Sequence, residues 1–278
     1  MNELKPIIKW LGGKRKEINK FEKYFPNFVK QKEEYTFVEP FVGGGAVFFY
    51  LENSTGHNVI NDFDAELSNF YKIFASQDPI FLSTILNLAK IHGKEHLEKI
   101  YFQYRNKDQN NGLANLSPVE NAIRFFIVNQ LAFSGIRRFN KKGEYNISFG
   151  YYDSFNVDAL NSDRHIKLLK ATEVRSGDFQ KVMEDNDKEN AFMFLDPPYT
   201  RVFKKYSAGN SFGEPEHERL KNVIDSMKYA KVMMILDKSD FTQKLHQGNI
   251  KETYGLRYKL HLEGTFNPSS EHMIITNY

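Results

Sequence analysis

The sequence predicts a mixed, mostly parallel α/β sheet, with helices on both faces, that is interrupted by an inserted helical domain. Short apolar runs typical of buried strands occur between residues 35 and 61 and again after residue 171. A glycine-rich turn follows the first run and leads into a helical stretch at residues 46–51. Between the two groups of strands, residues 65–130 have a helical and charged pattern, which places the insert there.

Composition limits the classes of protein that fit. The chain has 278 residues, 41% of them hydrophobic and 26% charged, which suits one large domain with a sizeable insert. No stretch approaches the roughly 18 unbroken apolar residues of a membrane helix. An apolar export signal is also missing, so we expect a cytoplasmic protein with no membrane partner. The absence of cysteine excludes disulfides, thiolate metal sites and cysteine nucleophiles, and with them cytosine-C5 methylation.

The first predicted strand, residues 35–41, runs into the turn Gly43-Gly44-Gly45, and a second strand at residues 57–61 ends before Asp62. Such a turn lets a ligand lie against bare backbone, and an acidic residue about 20 positions later can bind ribose hydroxyls. The dinucleotide fingerprint has a third glycine that this pattern lacks, which disfavours an NAD-dependent oxidoreductase. Three glycines also occur in plain tight turns, so this motif alone leaves a nucleoside site and a simple turn both open.

Later strands are predicted at residues 171–175, 191–195, 230–236, 255–262 and 273–276. Residues 133–152 alternate aromatic with polar and basic side chains around Gly143, a pattern typical of a hairpin. The net charge of +3 is weak evidence for a nucleic-acid partner, so local basic clusters carry that argument. These clusters lie at residues 9–16, 137–142 and 201–205, although any one such run is also typical of a solvated face.

The strand at residues 191–195 ends directly in Asp196-Pro197-Pro198-Tyr199, at the sheet edge where α/β proteins bind ligands. Two prolines fix the backbone and remove two amide donors, which leaves the Asp196 carboxylate and the Pro197 carbonyl as rigid acceptors. Two acceptors can hold both hydrogens of an exocyclic amine and draw its nitrogen toward an attacking geometry. Tyr199 offers a flat face to an extruded base, a stack worth about 1–3 kcal/mol. A turn that merely ends the strand is the alternative interpretation.

Four motifs in chain order resemble those of the Dam-like (α-class) adenine-N6 DNA methyltransferases. They are KWLGGK at residues 9–14, EPFVGGG at 39–45, ND at 61–62 and DPPY at 196–199. Residues 133–150 also resemble that family's DNA-reading hairpin, so the similarity spans essentially the whole chain. The resemblance implies a Rossmann-like methyltransferase fold in which S-adenosylmethionine methylates N6 of a flipped adenine in double-stranded DNA directly, without a metal.

The resemblance also implies roles for individual residues. The residues expected to contact the methyl donor are Trp10, Lys14, Glu39, Phe41, Gly43, Gly45, Asp62, Asp178, Phe179 and Asp196. Among them, Asp62 would hold the ribose, and Asp178 with Phe179 would flank the donor's adenine. The catalytic residues would be Asp196, Pro197 and Tyr199. The residues expected to contact DNA are Lys9, Arg137, Arg138, Asn140 and Lys141.

The sequence departs from the family pattern inside the hairpin, where Ser134 replaces a usual asparagine and Ser148 a usual proline. Both departures concern the recognised DNA sequence rather than the chemistry. A GATC-type site and a companion restriction endonuclease are compatible with the family likeness. The oligomeric state stays open.

We expect a donor-binding catalytic domain at residues 1–65 and 160–278, and a target-recognition insert at residues 66–159. The alternatives are amino-methylation of RNA, amino-methylation of cytosine N4, whose enzymes usually carry serine at the place of Asp196, and a non-catalytic DNA-binding module. His92 and His96 have the spacing of a zinc helix but lack its glutamate, so we expect no metal. Residues 207–213 are predicted to form a flap over the flipped base.

Overall fold

The structure is a computed structural model that describes residues 3–53, 56–199, 212–256 and 270–278. Within these residues one sheet has the strand order β3-β2-β1-β4-β5-β7-β6. The strands are β1 (Thr36–Glu39), β2 (Asn58–Asp62), β3 (Thr172–Ser176), β4 (Ala191–Leu195), β5 (Lys231–Asp237), β6 (Ile250–Leu256) and β7 (Ser270–Thr276). The predicted fold class, a mostly parallel α/β sheet, is confirmed.

Strands β1 to β5 are parallel, whereas β7 runs antiparallel between β5 and β6. The strand order changes direction between β1 and β4, since β2 lies on one side of β1 and β5 lies beyond β4. In open α/β sheets a crevice forms outside the carboxyl ends of the strands at such a switch point. The sheet therefore places its natural ligand crevice between the ends of β1 and β4.

The strand predicted at residues 255–262 is wrong at its start, because β6 begins at Ile250. Within the described residues, this strand lies at the edge of the sheet and pairs with β7. Its first residues include Glu252, which binds the side chains of Lys23 at 2.6 Å and Tyr24 at 2.9 Å. An edge strand with solvated polar groups lacks the apolar run by which buried strands are identified. Residues 257–269 lie outside the described part of the chain.

The described residues form helices of very different lengths. They are α1 (Ile18–Phe21), α2 (Asn27–Lys30), α3 (Ala46–Leu51), α4 (Ala65–Ser76), α5 (Pro79–Leu88), α6 (Lys94–Arg105), α7 (Pro118–Leu131), α8 (Asp163–Lys170), α9 (Phe179–Asp185), α10 (Glu214–Ser226) and α11 (Asp240–Leu245). The helical stretch predicted at residues 46–51 coincides with α3. Across the described ranges, none of these helices has the length and apolarity that a membrane crossing needs.

The sheet separates two apolar clusters, because side chains of β4 alternate between its faces. Phe192 and Phe194 belong to the larger cluster, which also includes α3, α4 and the helices of the insert. Met193 and Leu195 belong to the smaller cluster, which α9 and α10 cover on the opposite face. All five β4 side chains are buried, so the strand that carries Asp196 at its end is held from both sides.

The helical insert packs onto the sheet domain through α4. Phe70 on this helix is fully buried and stacks against Phe125 and Phe126 of α7, with ring centroids 5.4 Å and 5.7 Å apart. Helix α4 also packs against β2, β3 and α8. The insert and the sheet therefore share one continuous core, and the domain limits at residues 65 and 160 stay predictions.

Residues 133–152 contain a hairpin whose two arms meet in isolated antiparallel bridges, Ala132 with Phe149 and Phe139 with Tyr145. The amide of Asn140 donates to the Glu144 carbonyl at 2.8 Å. Gly143 takes a φ of +79° in the turn between them, where only glycine is unstrained. The arms make too few ladder hydrogen bonds to count as strands, but the turn lies where the sequence predicts it.

Phe70→Ala is expected to lower the free energy of unfolding by about 3–5 kcal/mol, because it leaves a cavity between two buried rings. Denaturant titration followed by circular dichroism measures this loss. Tyr229→Ala serves as the control: that ring is 55% exposed, and its removal should change stability by no more than about 0.5 kcal/mol. Equal losses in the two variants would contradict the shared core.

Candidate active site

The glycine-rich turn after β1 is held in place from three sides. Gly43 has a φ of +47° and donates its amide to Asp62 Oδ2 at 2.9 Å, while its carbonyl accepts from the Tyr71 hydroxyl at 2.9 Å. Trp10 packs on the outer side, since a Cβ added at Gly43 would lie 2.5 Å from the indole Nε1. Any side chain at Gly43 would displace Trp10. The structure thus brings together Trp10, Gly43 and Asp62, as predicted for the donor site.

Asp62 lies at the carboxyl end of β2 and links two turns. Its Oδ2 accepts from the Gly43 amide and its Oδ1 from the Asp64 amide, each at 2.9 Å. Burial, and then the charge of Asp64, raise the pKa of Asp62 to about 6, while these two amides favour its ionised form. Each carboxylate oxygen has a second lone pair. Asp62 can therefore fix the glycine-rich turn and still accept hydrogen bonds from ligand hydroxyls.

Asp196 follows β4 directly and forms an ion pair with Lys14. The Lys14 Nζ donates to Asp196 Oδ2 at 2.8 Å and to the Gly12 carbonyl at 2.9 Å, and the lysine side chain is only 3% exposed. Burial raises the pKa of Asp196, and the Lys14 charge opposes that rise. The ammonium also lies 5.1 Å from the centroid of the Tyr199 ring. Lys14 therefore holds one carboxylate oxygen and leaves Oδ1 to a ligand.

Glu39, at the end of β1, is buried and accepts from the amide of Phe48 in the first turn of α3 at 3.1 Å. Burial and the charge of Asp196 hold the pKa of Glu39 well above its usual value. Three carboxyl groups, Glu39, Asp62 and Asp196, thus crowd around the ends of three neighbouring strands. A cationic ligand with a diol fits this donor set, because it relieves the repulsion and supplies hydroxyls to Asp62.

Aromatic rings border the far side of the site. Phe41 contacts Phe179 and Phe212 with ring centroids 5.3 Å and 5.6 Å away. Asp178, predicted beside the donor's adenine, caps α9 by accepting from the Gln180 amide at 2.9 Å, and it forms an ion pair with Arg219 at 2.7 Å. The Asp178 carboxylate is therefore used to fix α9, and the ring of Phe179 forms the apolar wall of the site.

Sequence reasoning missed Phe63, whose side chain is 64% exposed between Asp62 and Asp64. A large exposed ring at the carboxyl end of a central strand is unusual in a structure that buries most of its phenylalanines. The signal was present in the sequence as an aromatic residue flanked by two carboxylates. Its position beside the Asp62 carboxylate makes it a further candidate for stacking against a planar ligand.

Two buried polar contacts support the tetrad, and no sequence pattern indicates either. His217 on α10 lies with Nε2 3.1 Å from the Pro198 carbonyl. Burial lowers the pKa of His217 to about 4, so the ring is neutral near pH 7 and its Nε2 hydrogen donates to that carbonyl. On the other side, His272 of β7 lies 5.2 Å from the Tyr199 ring and binds Glu17 at 2.8 Å.

Lys9 anchors the N-terminal segment to the insert. Its backbone amide donates to Asn129 Oδ1 at 3.0 Å and its carbonyl accepts from Asn129 Nδ2 at 2.7 Å. The Lys9 ammonium donates to the Gln130 carbonyl at 2.6 Å and lies 3.6 Å from the centroid of the Tyr152 ring. A DNA contact by Lys9 requires this ammonium to exchange at least one of these partners.

The hairpin residues differ in their solvent exposure and in the partners that they bind. Among the described residues, Arg138 binds within the hairpin, where its Nε donates to Asn146 Oδ1 at 2.9 Å, and Lys141 is exposed at the turn. The Asn140 side chain stabilises that turn by accepting from the amides of Lys142 and Glu144. Arg137 points away from the open surface, because its side chain is 16% exposed and forms ion pairs with Asp64 and Glu66 at the start of α4.

The sequence predicts no metal site at His92 and His96, and it predicts a basic cluster and a flap after the tetrad. Within the described ranges, no three side chains of His, Cys, Asp or Glu are grouped so as to hold a metal ion, and both His92 and His96 are exposed. The basic cluster at residues 201–205 lies outside the described residues, and so does the predicted flap at 207–213 except for its last two residues.

The family model for D12 class N6 adenine-specific DNA methyltransferases matches residues 10–258. Among similar proteins, the Type II methyltransferase M.CviBI of Paramecium bursaria Chlorella virus NC1A is 33% identical over 278 residues, which cover 99% of this chain and 100% of the relative. The Type II methyltransferase M.MjaIII of Methanocaldococcus jannaschii is 30% identical over 92% of each chain. A DNA adenine methylase of Haemophilus influenzae is 29% identical over 88% of this chain and 83% of its own length.

Lys14→Met is expected to raise the pKa of Asp196 further, because the cation that favours the carboxylate form is lost and the proton stays bound to higher pH. Carbon-13 NMR of labelled aspartate carboxyls measures the titration, with the Asp196 signal identified by Asp196→Asn. Lys23→Met, which breaks an exposed pair with Glu252, is the matched control and should leave the Asp196 signal unchanged. An unshifted Asp196 titration in Lys14→Met would contradict the ion pair's role.

Proposed function

The chain belongs to the family of D12 class N6 adenine-specific DNA methyltransferases, and from this premise we propose which of its residues bind the donor, the target base and the DNA. The protein transfers the methyl group of S-adenosylmethionine to N6 of adenine in DNA. The alternative of amino-methylation of RNA or of cytosine N4 is not favoured by these relatives. Our proposal extends to a double-stranded substrate whose adenine is flipped out of the stack.

One observation carries the proposal: the Asp196-Pro197-Pro198-Tyr199 turn stands at the switch point beside the glycine-rich turn of β1. A methyl transfer needs the donor and the acceptor amine within contact of each other. Here the residues suited to the two substrates lie on the adjacent strands β1 and β4. Asp196 then has one oxygen, Oδ1, free of the Lys14 pair to face the amine.

Donor binding is supported by the chemistry of the pocket. Asp62 would accept from the ribose hydroxyls, and Gly43 would admit the methionine end close to the backbone beside Trp10. The crowded carboxyl groups of Glu39, Asp62 and Asp196 favour a ligand that carries a sulfonium and an ammonium, because a nearby cation lowers the cost of ionising them. Rings from Phe41, Phe63 and Phe179 would enclose the adenine. When bound, S-adenosylmethionine supplies an electrophilic methyl group on a positively charged sulfur.

The tetrad would hold the target amine in an attacking geometry. Asp196 and the carbonyl of Pro197 accept one hydrogen each from the amine, so that the nitrogen lone pair is directed out of the adenine plane. Lys14 favours the ionised form of Asp196 and fixes the carboxylate in place. The Tyr199 ring, held by its contact with His272, stacks on the extruded base. His217 fixes the turn by donating to the carbonyl of Pro198.

DNA binding would involve the hairpin and the N-terminal segment. Arg138 at the open edge of the hairpin is suited to a guanine edge, and Lys141 at the turn to a phosphate. Asn140 would act mainly by shaping the turn, and Lys9 would reach DNA by leaving Tyr152. The buried ion pairs of Arg137 do not favour a DNA contact, so we leave this residue out of the proposed interface.

The relatives named Type II methyltransferases support a place for this protein beside a restriction endonuclease. Methylation of the endonuclease's own site would then protect the host DNA. We further propose that the protein acts in the cytoplasm, where such DNA is accessible. A GATC-type target remains a prediction.

Asp196→Ala is expected to abolish methyl transfer, because the amine loses an acceptor that is needed mainly in the transition state. Transfer of tritiated methyl groups is measured in parallel to double-stranded DNA, single-stranded DNA, RNA and protein. The wild type should label DNA, and the variant should label none of the four. The variant should still bind DNA and keep the wild-type circular dichroism spectrum, which excludes misfolding as the cause, although its denaturation midpoint should fall because buried Lys14 loses its ion-pair partner. Near wild-type turnover of the variant would remove Asp196 from the catalytic role.

Arg138→Ala is expected to relax sequence preference at one base, since an arginine on a guanine edge contributes about 1–3 kcal/mol of discrimination. Lys141→Ala, the matched control in the same hairpin, should weaken binding to all sequences alike and reduce the salt slope by about one. Competition between single-base variants of the recognised site, at several salt concentrations, separates the two effects. A uniform loss of affinity in Arg138→Ala would assign this arginine to a phosphate instead.

A further inference from the structure

Arg137 lies on the DNA-reading hairpin, yet its guanidinium reaches into the donor side of the molecule. Nε pairs with Asp64 Oδ2 at 2.8 Å, and Nη2 pairs with Glu66 Oε2 at 2.8 Å. Both carboxylates belong to the start of α4, where Asp64 is the capping residue. A planar guanidinium that holds two carboxylates at once fixes their relative position far better than a lysine would.

The contact continues from Asp64 into the donor site. The Asp64 amide donates to Asp62 Oδ1, and Asp62 Oδ2 accepts from the amide of Gly43. One side chain of the hairpin is therefore connected, through one ion pair and two hydrogen bonds, to the glycine-rich turn on which Trp10 packs. Phe63 is exposed between Asp62 and Asp64, on the turn that joins β2 to α4.

Electrostatics gives the contact a second effect. Asp62 and Asp64 repel each other, and this repulsion adds to burial in raising the pKa of Asp62, whereas the Arg137 charge lowers it. Without the guanidinium, Asp64 would keep its cap on α4 but would lose its ion-pair partner. The repulsion between the two carboxylates would then be reduced by a movement of Asp64 or by protonation of Asp62. Either change weakens Asp62 as an acceptor for ribose hydroxyls.

The base of the hairpin also rests on the N-terminal segment. Gly135 has a φ of +63°, and a Cβ added there would lie 2.4 Å from the Cβ of Lys9, the neighbour of Trp10. The hairpin therefore contacts both halves of the donor pocket, the 62–64 turn through Arg137 and the Trp10 segment through Gly135. Glu66 has partners besides Arg137, because Arg124 and Asn121 donate to its other oxygen, Oε1.

We propose that Arg137 is a positioning residue that ties the DNA-reading hairpin to the 62–64 turn, so that donor binding and the order of the hairpin support each other. This inference rests on the proposed assignment of Asp62 to the donor. It gives the basic hairpin a role in donor binding in addition to its proposed contacts with DNA. Two sites are coupled when both bias one structural element, and here that element is the turn between Asp62 and Asp64.

The test compares Arg137→Gln with Arg164→Gln. Arg164 on α8 pairs with the carboxylate of Glu52, which makes it a matched ion-pair control away from the site. Calorimetry with S-adenosylmethionine and with S-adenosylhomocysteine should show a donor Kd about tenfold higher in Arg137→Gln, within the usual range of site coupling. Arg164→Gln should bind both compounds as the wild type does. An unchanged donor Kd in Arg137→Gln would overturn the proposal, whatever happens to its melting temperature.

Two further readouts separate positioning from simple stabilisation. Trp10 is the single tryptophan, so its fluorescence without donor reports on the glycine-rich turn and should change in Arg137→Gln but not in Arg164→Gln. Hydrogen exchange at residues 136–147 should slow when S-adenosylhomocysteine binds the wild type. That slowing should be lost in Arg137→Gln. Equal slowing in both proteins would show that the hairpin senses the donor without Arg137 and would overturn the proposal.

Asp64→Asn and the double variant Asp64→Asn/Arg137→Gln complete the cycle. Asn keeps the cap of α4 and removes the charge, so the double variant leaves no unpaired charge at residue 64, while Glu66 keeps its pair with Arg124. The double variant should therefore fold even if Arg137→Gln does not. We expect the two single effects on donor Kd to be strongly non-additive, and additive effects would count against a shared role. Asp62→Ala tests the premise separately, because normal donor binding in this variant would refute the assignment of Asp62 to the donor site.

Discussion

Carboxyl groups at the ends of β1, β2 and β4 are buried together, and such groups are stable only when cations or amides oppose their charge. Lys14 provides the nearest opposing charge, on Asp196. To bring it there, the N-terminal segment must cross the switch point, where Asn129 and Gln130 of the insert bind its backbone. The requirement to balance these charges thus joins the two parts of the chain.

The same requirement explains why the site suits its chemistry. A pocket of crowded carboxyl groups favours a cationic donor, and that preference weakens once the methyl group is gone and sulfur becomes neutral. The Asp196 carboxylate, whose ionised form Lys14 favours against the effect of burial, then serves as an acceptor for an amine. Tyr199 and the two prolines set the shape of the turn, and His217 and His272 stabilise it through their contacts with Pro198 and Tyr199.

Local patterns were enough to predict the central sheet, because buried strands leave apolar runs, and to predict the tetrad and the glycine-rich turn. The start of the edge strand β6 was not predicted, since its polar residues face solvent and Lys23. Arg137 was read as part of a basic cluster, but its partners Asp64 and Glu66 lie more than seventy residues earlier. The supporting residues His217 and Glu17 carry no local signal either, because only the folded sheet brings them to the tetrad.

The central claim is that this switch-point site methylates the exocyclic amine of adenine. Mass spectrometry of nucleosides, from DNA of a host that has no adenine methylation of its own, tests it most directly once the protein is expressed there. The account predicts N6-methyldeoxyadenosine as the modified nucleoside. N4-methylcytosine in its place, or unmodified DNA from cells that contain the folded protein, would contradict the account.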